Sequence, residues 1–552
     1  MRYYRIAIVA HPTYEPADPV WSCYEELVMA GHAVEIIDPE RFEGVKRADG
    51  TICEEKLSAF VRRFKPDCLT DGSEGAQALL ARLAQSEAAG QEMPARHFVV
   101  FGYVGPNNFG DELIFSVICD QLEARYPGCW VSLIGHNPAA TLARQGVVSV
   151  LNEMKFEADV LLNGASALIF MAGIMFDGPF AGWTAGPIDP WLNPRSELGG
   201  QAAFVLMAAA RGVPSVFLGI GAGPLTNPDA QRLVRLQAAN GARYVPRDAV
   251  TEELLLAAGV PASSIARKAD LAFLSDVEGA RGSARARLAE LGVEPGKYVV
   301  VALRDHESVD AAFPVRVAAL LDHLWEAWGE RALMVDFAPE DAEIHARVRE
   351  AMRYGSEARS FGLASDFAQT IDVLASARMT CAMRLHCSIV ANACGVPSMG
   401  FDYNEKVGAF YELVGRGDCL CAMDAPAPAL EAAADGLLGS YEAVRAEVEA
   451  RAAELKRLAS EAFDELERTV AAHPTSYEKR IHYIRRVSIE EEQLAGARWE
   501  LAQARAELEG VRAELAAAQS RIYELEHSNS FKVGSALMYV PGKLKRMAKR
   551  DA

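Results

Sequence analysis

The sequence predicts an α/β protein with two Rossmann-like domains that face a cleft. Short apolar runs such as HFVVFG, VPSVFLG and KYVVVAL alternate with longer helix-like runs along the chain. Polar, glycine-containing turns follow several of these runs, as they do where a strand of a parallel sheet leads into a helix. The 552 residues, 50% hydrophobic and 24% charged, suffice for several domains with sizeable cores.

The first 94 residues predict a small α/β unit of their own. Strand-like RIAIVAH, HAVEIID and DCLTD alternate with helix-like segments, which is the pattern of a half-size βαβαβα unit. QEMPA then has the composition of a linker. The first Rossmann-like domain is expected over 95–280 and the second over 281–427. Between Phe170 and Pro194 a stretch rich in Gly, Pro and aromatic residues predicts a long loop, a kind of segment that is often functional.

The C-terminal part is predicted to be helical over 428–476, a coiled coil over 477–528 and a basic amphipathic tail over 529–552. Leucine or isoleucine recurs every seven residues, and Ala, Val or Leu follows three residues later, which forms an a/d seam. The seam consists of Leu494, Leu501, Leu508, Leu515 and Ile522 with Ala497, Ala504, Val511, Ala518 and Leu525. Coiled-coil self-association, and so a homo-oligomer, is the preferred interpretation over a single helix that packs on its own globular domain.

Charge, cysteine content and hydropathy exclude several classes of protein. A net charge of −19 argues against nucleic-acid binding, although a local basic pocket can still hold a small anion. The ten cysteines form no CxxC pair, so neither a disulfide framework nor a zinc ribbon is indicated, and a reducing cytoplasm is expected. No apolar run is long enough to span a membrane. The basic tail suits contact with anionic lipid on the inner face of the membrane, and a solubilising charged terminus explains it equally well.

The first candidate site is GYVGPNNFGDE, a turn between a strand-like and a helix-like run. Gly110 and the other glycines allow a tight backbone turn, and Asn107 and Asn108 shape it and supply amide donors. Asp111 either serves proton transfer in the cleft or merely stabilises the start of the helix, as carboxylates do. The turn is neither a Walker loop nor a dinucleotide-binding fingerprint.

Two further strand ends carry candidate residues. Gly221 belongs to the turn GIGAGP, and Arg247 stands immediately before a helix, where it either binds an anion or pairs locally with an acid. In MRLHCSI, Arg384 and His386 are two residues apart and are expected to face the same way on an extended strand end. A guanidinium beside an imidazole suits an anionic substrate and proton transfer, although a structural core histidine is the competing interpretation.

Lys406 and Tyr403 follow in the same stretch, and Lys406 is a candidate phosphate ligand. A metal cluster of Cys381, His386, Cys387 and Cys394 is disfavoured because the spacing matches no usual site. No metal and no cofactor are therefore expected.

Several short motifs follow one another along the chain: NxGDE, GIGAGP, RD before a helix, ADLAF, a strand ending at Arg304, MRLH, GVP and YxxKV. Taken together, these motifs resemble those of the polysaccharide pyruvyl transferase family over roughly residues 97–415. The resemblance implies a GT-B-like fold and transfer of the enolpyruvyl unit of phosphoenolpyruvate to a sugar hydroxyl of a cell-surface glycan, an exopolysaccharide or a lipid-linked glycan, commonly as a pyruvate ketal. NGAS at 163–166 stands where the family usually has a GGG-like turn, a departure that concerns contacts with the acceptor.

The resemblance also implies roles. Arg247, Arg384 and Lys406 would neutralise the donor, His386 would protonate its methylene carbon, and Asp111 would assist the attacking hydroxyl. Two other functions stay open from the sequence. One is a GT-B glycosyltransferase that uses a nucleotide-sugar, and the other is a non-catalytic scaffold for glycan assembly.

Overall fold

The computed structural model describes residues 2–12, 18–40, 51–86, 96–151, 155–171 and 197–474, shorter pieces between them, and parts of 501–523. The chain divides into a unit of residues 1–481 and a unit of residues 482–552. Within the first unit three parallel sheets follow one another, and the helices alternate with their strands.

The N-terminal sheet has the order β2-β1-β3. Its strands are β1 Arg5–Val9, β2 Ala33–Ile37 and β3 Cys68–Thr70, and its helices are α1 Pro19–Met29, α2 Ser58–Phe64 and α3 Gly75–Gln85, with a 3-10 helix at Glu54–Leu57. This unit does not stand alone. Its apolar core continues into the next domain through Trp130, Leu142, Val148 and Val160, which are buried in the same cluster.

The second sheet has the order β6-β5-β4-β7-β8-β9, which is the 3-2-1-4-5-6 order of a Rossmann fold. Its strands are β4 His97–Phe101, β5 Trp130–Gly135, β6 Ser149–Leu151, β7 Ala167–Met171, β8 Ser215–Ile220 and β9 Arg243–Pro246. The helices of this domain are α4 Phe109–Arg125, α5 Pro138–Gln145, α6 Lys155–Leu162, α7 Glu197–Ala210, α8 Pro228–Ala239 and α9 Ala249–Ala257. Two 3-10 helices, Ala262–Ser264 and Leu271–Leu274, and the short helices α10 Val277–Ala280 and α11 Arg285–Glu290 lead to the next domain.

The third sheet repeats that order as β12-β11-β10-β13-β14-β15. Its strands are β10 Tyr298–Ala302, β11 Arg331–Asp336, β12 Arg359–Leu363, β13 Met379–Ala382, β14 Ser398–Asp402 and β15 Leu420–Ala422. Its helices are α12 Phe313–Trp328, α13 Asp341–Ala351, α14 Phe367–Ala375, α15 Leu385–Ala393 and α16 Glu405–Leu413, with a 3-10 helix at Gly417–Cys419. The predicted α/β class with two Rossmann-like domains is confirmed.

Two helices, α17 Ala427–Gly439 and α18 Tyr441–Ala472, follow the third sheet. The longer one returns to the first Rossmann-like domain, where Asp464 accepts a hydrogen bond from Arg125 at 2.9 Å and Glu461 accepts one from Lys268 at 2.8 Å. Its apolar face, including Leu455, Phe463 and Leu466, is buried. This helix therefore packs against both Rossmann-like domains.

Only part of the predicted coiled coil lies among the described residues. The helical pieces between 501 and 523 carry the seam residues Leu501, Leu508, Leu515 and Ile522, and each of these side chains is at least half exposed. Residues 475–500 and the predicted basic tail lie outside the described residues. Of the helices that the structure describes, none combines the length and the hydropathy that a membrane span requires.

Candidate active site

The carboxyl ends of the strands in the two Rossmann-like sheets bound one cleft. Doubly wound sheets bind ligands at this edge, near the point where the strand order reverses. A cavity of about 80 Å³ there is lined by Asn108, Gly110, Asp111, Arg247, Arg304, Phe337, Arg384, Leu385, His386, Tyr403 and Lys406. An adjoining cavity of about 230 Å³ shares Arg247 and Lys406 and includes Gly221. All the candidate residues except Asn107 therefore line one of two neighbouring cavities.

The turn after β4 is shaped by its two asparagines. Asn107 has a left-handed backbone with φ of +68°, which asparagine tolerates better than most residues. Asn108 is the N-cap of α4, and its side chain accepts a hydrogen bond from the Gly110 N–H at 3.3 Å. Asp111 lies in the first turn of α4, where a carboxylate stabilises the start of the helix, and it also lines the cavity.

Glu112, next to Asp111, stabilises this turn through hydrogen bonds to its carboxylate. Its buried carboxylate accepts hydrogen bonds from the Gly105 N–H at 2.7 Å and from the Gln145 amide at 3.0 Å. On the other side of the turn, the Phe109 N–H donates to the carbonyl of Phe337 in the second Rossmann-like domain at 2.9 Å. The turn is thereby fixed to both walls of the cleft.

The imidazole of His386 lies directly against Gly110. A Cβ atom at position 110 would fall 1.9 Å from Nδ1 of His386, well inside van der Waals contact. Only glycine leaves room for the ring at this position. The NNFGDE turn and the MRLH segment, 270 or more residues apart in sequence, are thus in contact through these two residues.

The expectation that Arg384 and His386 share an extended strand end is wrong. Strand β13 ends at Ala382, Arg384 is the N-cap residue of α15, and His386 lies in the first turn of that helix. The apolar residues after Arg384 are buried on α15, so the chain turns into the helix sooner than the strand-like pattern indicates. Both side chains nevertheless line the cavity.

His386 is surrounded by positive charge. Burial lowers the pKa of His386 to about 4, the charges of Arg247, Lys406 and Arg384 also lower it, and Asp270 opposes them. Nε2 of His386 lies 3.8 Å from a carboxylate oxygen of Asp270 and has no hydrogen-bond partner among the described residues. The imidazole is therefore neutral at pH 7.

Arg247 is held by acids and also faces the cleft. Its guanidinium donates to Asp270 at 2.9 Å and lies 3.5 Å from Asp248, so the local ion pair considered from sequence is present. The guanidinium rests on Gly221, where a Cβ atom would fall 2.7 Å from Nη2. Asp270, which sequence reasoning did not single out, lies between Arg247 and His386. Its signal was the aspartate that opens the otherwise apolar ADLAF.

Arg384 is tied to two acids of the second domain. Nε donates to Asp341 at 2.9 Å, Nη2 also donates to Asp341, and Nη2 donates to Glu340 at 2.9 Å. Burial disfavours the guanidinium charge, but the hydrogen bonds and charges of these acids outweigh burial and raise the pKa of Arg384. Its charge is therefore largely neutralised within the protein. Asp341, fully buried, is a second residue that sequence reasoning missed.

Arg304 and Lys406 are the cations of the cleft best placed to bind an anion. Neither forms an ion pair within the part of the chain that the structure describes, and the buried Nε of Arg304 has no hydrogen-bond partner there. Burial and then the charges of Arg247 and Arg304 lower the pKa of Lys406 to about 8, and the charge of Asp111 opposes this shift. Such crowding of like charges indicates a site that is completed by an anion.

NGAS lies away from the cleft. Residues 163–166 precede β7, and the Ser166 N–H bonds the carbonyl of His97 at the start of β4. They are thus at the amino edge of the sheet, whereas the cleft is at the carboxyl edge. The position of the segment in the fold therefore gives no support to the expected link between NGAS and contacts with the acceptor.

Two Rossmann-like domains around a basic, half-buried cleft define an α/β protein with a site suited to an anionic ligand. The chain belongs to the polysaccharide pyruvyl transferase family, whose model matches residues 108–405, more than half of the sequence. It is therefore a transferase of polysaccharide biosynthesis. No curated protein matches the sequence.

Solved structures with similar folds are only distantly related. UDP-GlcNAc 2-epimerase from Methanocaldococcus jannaschii is 10% identical, with 62% of this chain and 92% of that chain covered and a TM-score of 0.46. A UDP-GlcNAc 2-epimerase from Neisseria meningitidis is 9% identical, with 68% and 100% covered and a TM-score of 0.46. A glycosyltransferase from Rickettsia africae is 11% identical, with 72% and 99% covered and a TM-score of 0.41.

Proposed function

We propose that this enzyme transfers the enolpyruvyl unit of phosphoenolpyruvate to a sugar hydroxyl of a cell-surface or exopolysaccharide glycan and forms a pyruvate ketal. The observation that carries the proposal is the set of cations in the cleft. Arg304 and Lys406 form no ion pair with a described residue, although Asp111 lines the same cavity, and Arg247 lies beside them. Phosphoenolpyruvate carries a phosphate and a carboxylate and would supply the missing negative charge.

Donor binding would fall mainly to Arg304 and Lys406, with Arg247 held in place by Asp270. A guanidinium gives paired hydrogen bonds to phosphate or carboxylate, and an ammonium acts as a point charge. Arg384 would act differently from the role expected from sequence. Because Asp341 and Glu340 already bind its guanidinium, it would position the start of α15 and His386 and contribute less to the donor itself.

The proton would come from His386. The pKa of His386 is about 4, but an anion placed among the cations would offset their charge and favour the imidazolium. His386 would then protonate the methylene carbon of phosphoenolpyruvate and leave an oxocarbenium-like carbon that carries the phosphate. A partly dry, preorganised cleft stabilises a charged centre of this kind.

The acceptor hydroxyl would attack that carbon while Asp111 accepts its proton. The bond from carbon to the phosphate oxygen then breaks, inorganic phosphate leaves, and a second hydroxyl of the same sugar closes the ketal. Both hydroxyl protons are accounted for. The proton that Asp111 takes from the first hydroxyl leaves with the phosphate, and the proton of the second hydroxyl replaces the one that His386 delivered. The adjoining cavity of about 230 Å³, which includes Gly221, Asn404 and Glu405, offers polar groups and room for a sugar ring.

Ligand-dependent thermal unfolding distinguishes this proposal from a nucleotide-sugar glycosyltransferase. Phosphoenolpyruvate at one hundred times its dissociation constant should stabilise the protein by about 2.7 kcal/mol, whereas a nucleotide-sugar at the same concentration should have little effect. The stabilisation should disappear in a Lys406→Gln, Arg304→Gln double variant. Stabilisation by a nucleotide-sugar alone would overturn the proposal.

We also propose that the enzyme self-associates through the C-terminal coiled coil and works in the cytoplasm, close to lipid-linked glycans. The exposed seam residues Leu501, Leu508 and Leu515 support this proposal, because aligned apolar side chains gain stability when a second helix covers them. Sedimentation of a Leu508→Lys, Leu515→Lys variant should show a lower oligomeric state than that of the parent. An unchanged mass would contradict the coiled coil.

A further inference from the structure

Another cavity, of about 380 Å³, lies between the N-terminal unit and the first Rossmann-like domain. From the N-terminal unit, β1, β2 and α2 line it, and from the Rossmann-like domain, the ends of α4 and α5 and the start of β5 do so. A volume of this size is within the range of cavities that hold small organic ligands. It is separate from the cleft, since the two share no lining residue.

The cavity is basic on a chain that is strongly acidic. Its cationic side chains are Arg5, Arg62, Arg63, Lys65 and Arg144, and its acidic ones are Glu35, Asp120 and Glu123. Burial raises the pKa of Glu35 well above its ordinary value, although Ser132 donates a hydrogen bond to it at 2.8 Å. Three carboxyl groups thus face five cations.

Helix chemistry explains some of these cations. Arg63 is in the last turn of α2 and Arg144 in the last turn of α5, where positive side chains favour the helix dipole. Both also have acidic neighbours, Asp120 at 3.3 Å from Arg63 and Glu112 at 3.6 Å from Arg144. These two residues alone would not indicate a ligand.

Arg5 cannot be explained in this way. It lies on strand β1 and is only 8% exposed, and its guanidinium makes one hydrogen bond, from Nη2 to the Cys129 carbonyl at 2.8 Å. The buried Nε has no partner among the described residues, and no acid there forms an ion pair with the guanidinium. Burial lowers the pKa of Arg5, and the charges of Glu123 and Asp67 offset this shift only in part. Buried charge is costly unless it is paired.

We propose that this cavity binds a small organic phosphate, with the phosphate between Arg5, Arg63 and Arg144 and the apolar part of the ligand against Phe64. The ring centre of Phe64 is 5.2 Å from the guanidinium carbon of Arg5, so an apolar surface borders the unpaired charge. A dianionic group matches the excess of cations better than one carboxylate does. The proposal is independent of the function of the cleft.

The test uses the full chain and hydrogen exchange read by mass spectrometry, because this method locates binding along the sequence. The probe is phenyl phosphate, with inorganic phosphate and phenol as its separate halves. Phenyl phosphate should slow exchange in peptides that cover 59–65 and 144–148, inorganic phosphate should do so at higher concentration, and phenol should not. Protection confined to the cleft, or none, would overturn the proposal.

Two variants and a control complete the test. Arg63→Gln should weaken the phenyl phosphate affinity, read from protection of 144–148, by about tenfold, as the loss of one charged contact would. Arg5→Lys should also weaken it, because an ammonium cannot reproduce the paired donors of a guanidinium. Arg82→Gln is the matched control, since Arg82 lies on α3 of the same unit, 52% exposed, and outside the cavity. Unchanged affinity in Arg63→Gln, which is partly exposed and should fold, would refute the proposed site.

Discussion

Substitution of Gly110 by alanine tests the geometry that unites the two sequence motifs. The new Cβ would lie 1.9 Å from Nδ1 of His386, whereas ordinary contact begins near 3.4 Å. The imidazole must therefore retreat by about 1.5 Å, or the start of α4 must shift by that distance. A displacement of about 1 Å of a catalytic group can cost roughly 10²-fold in rate.

The expected loss of kcat is thus at least about 10²-fold and is limited by the contribution of His386 itself, roughly 10²- to 10⁴-fold for a general acid. Overpacking should also lower the free energy of unfolding by about 1–3 kcal/mol, partly offset by about 0.5–1 kcal/mol because alanine favours a helix over glycine. The protein should therefore remain folded.

The assay combines phosphate release with thermal unfolding in a double-mutant cycle with His386→Ala. Once the imidazole is absent, Gly110→Ala should cause little further loss of kcat and should no longer destabilise the protein, a coupling of about 1–3 kcal/mol. Gly436→Ala in α17 is the matched control, because no atom lies within 4 Å of its Cβ position. If Gly110→Ala keeps the parent kcat, or if the two substitutions are additive in stability, the contact with His386 is refuted.

Three other predictions concern charge in the cleft. Lys406→Met should raise the free energy of unfolding at pH 7 by up to about 3 kcal/mol, because the pKa of Lys406 falls from 10.5 to about 8 on folding. This gain in stability should shrink as the pH rises from 8 to 10.5. Denaturant unfolding measured at several pH values tests both statements. Phosphoenolpyruvate binding at pH 8, where the phosphate of the ligand is ionised, should take up protons at Lys406 and His386. Calorimetry in buffers of different ionisation enthalpy measures this uptake, and zero uptake would contradict the prediction. Asp270→Asn should raise KM for phosphoenolpyruvate about tenfold, because Arg247 loses the carboxylate that holds its guanidinium in place. The same substitution should lower the pKa of His386 further. An unchanged KM and an unchanged pH profile would show that Asp270 does not position Arg247 and His386.

Strand patterns predicted the broad fold and the composition of the cleft. Parallel strands place their carboxyl ends at one edge, so residues after β4, β9, β10, β13 and β14 could be expected to meet. This shared edge explains why Arg304, Lys406 and Asp111 line one cavity in the structure. The exact wall-to-wall contact of Gly110 with His386 was not predictable, because it depends on how two domains dock.

Other features were missed or misread for identifiable reasons. Asp270 and Asp341 are ordinary aspartates at helix starts in the sequence, and only tertiary packing joins them to Arg247 and Arg384. The end of β13 was placed too late, because buried MRLHCSI is equally apolar as strand or helix. NGAS was assigned to the cleft because a pattern match does not reveal which end of a strand it occupies.

Turnover with both substrates tests the proposed reaction most directly. The purified protein is incubated with phosphoenolpyruvate and a panel of soluble and lipid-linked glycans, and inorganic phosphate and glycan mass are measured together. Phosphate release should match the gain of a pyruvate ketal on one acceptor, and both should be lost in His386→Ala. Stable phosphoenolpyruvate with every acceptor, together with turnover of a nucleotide-sugar in the same panel, would contradict the proposed reaction.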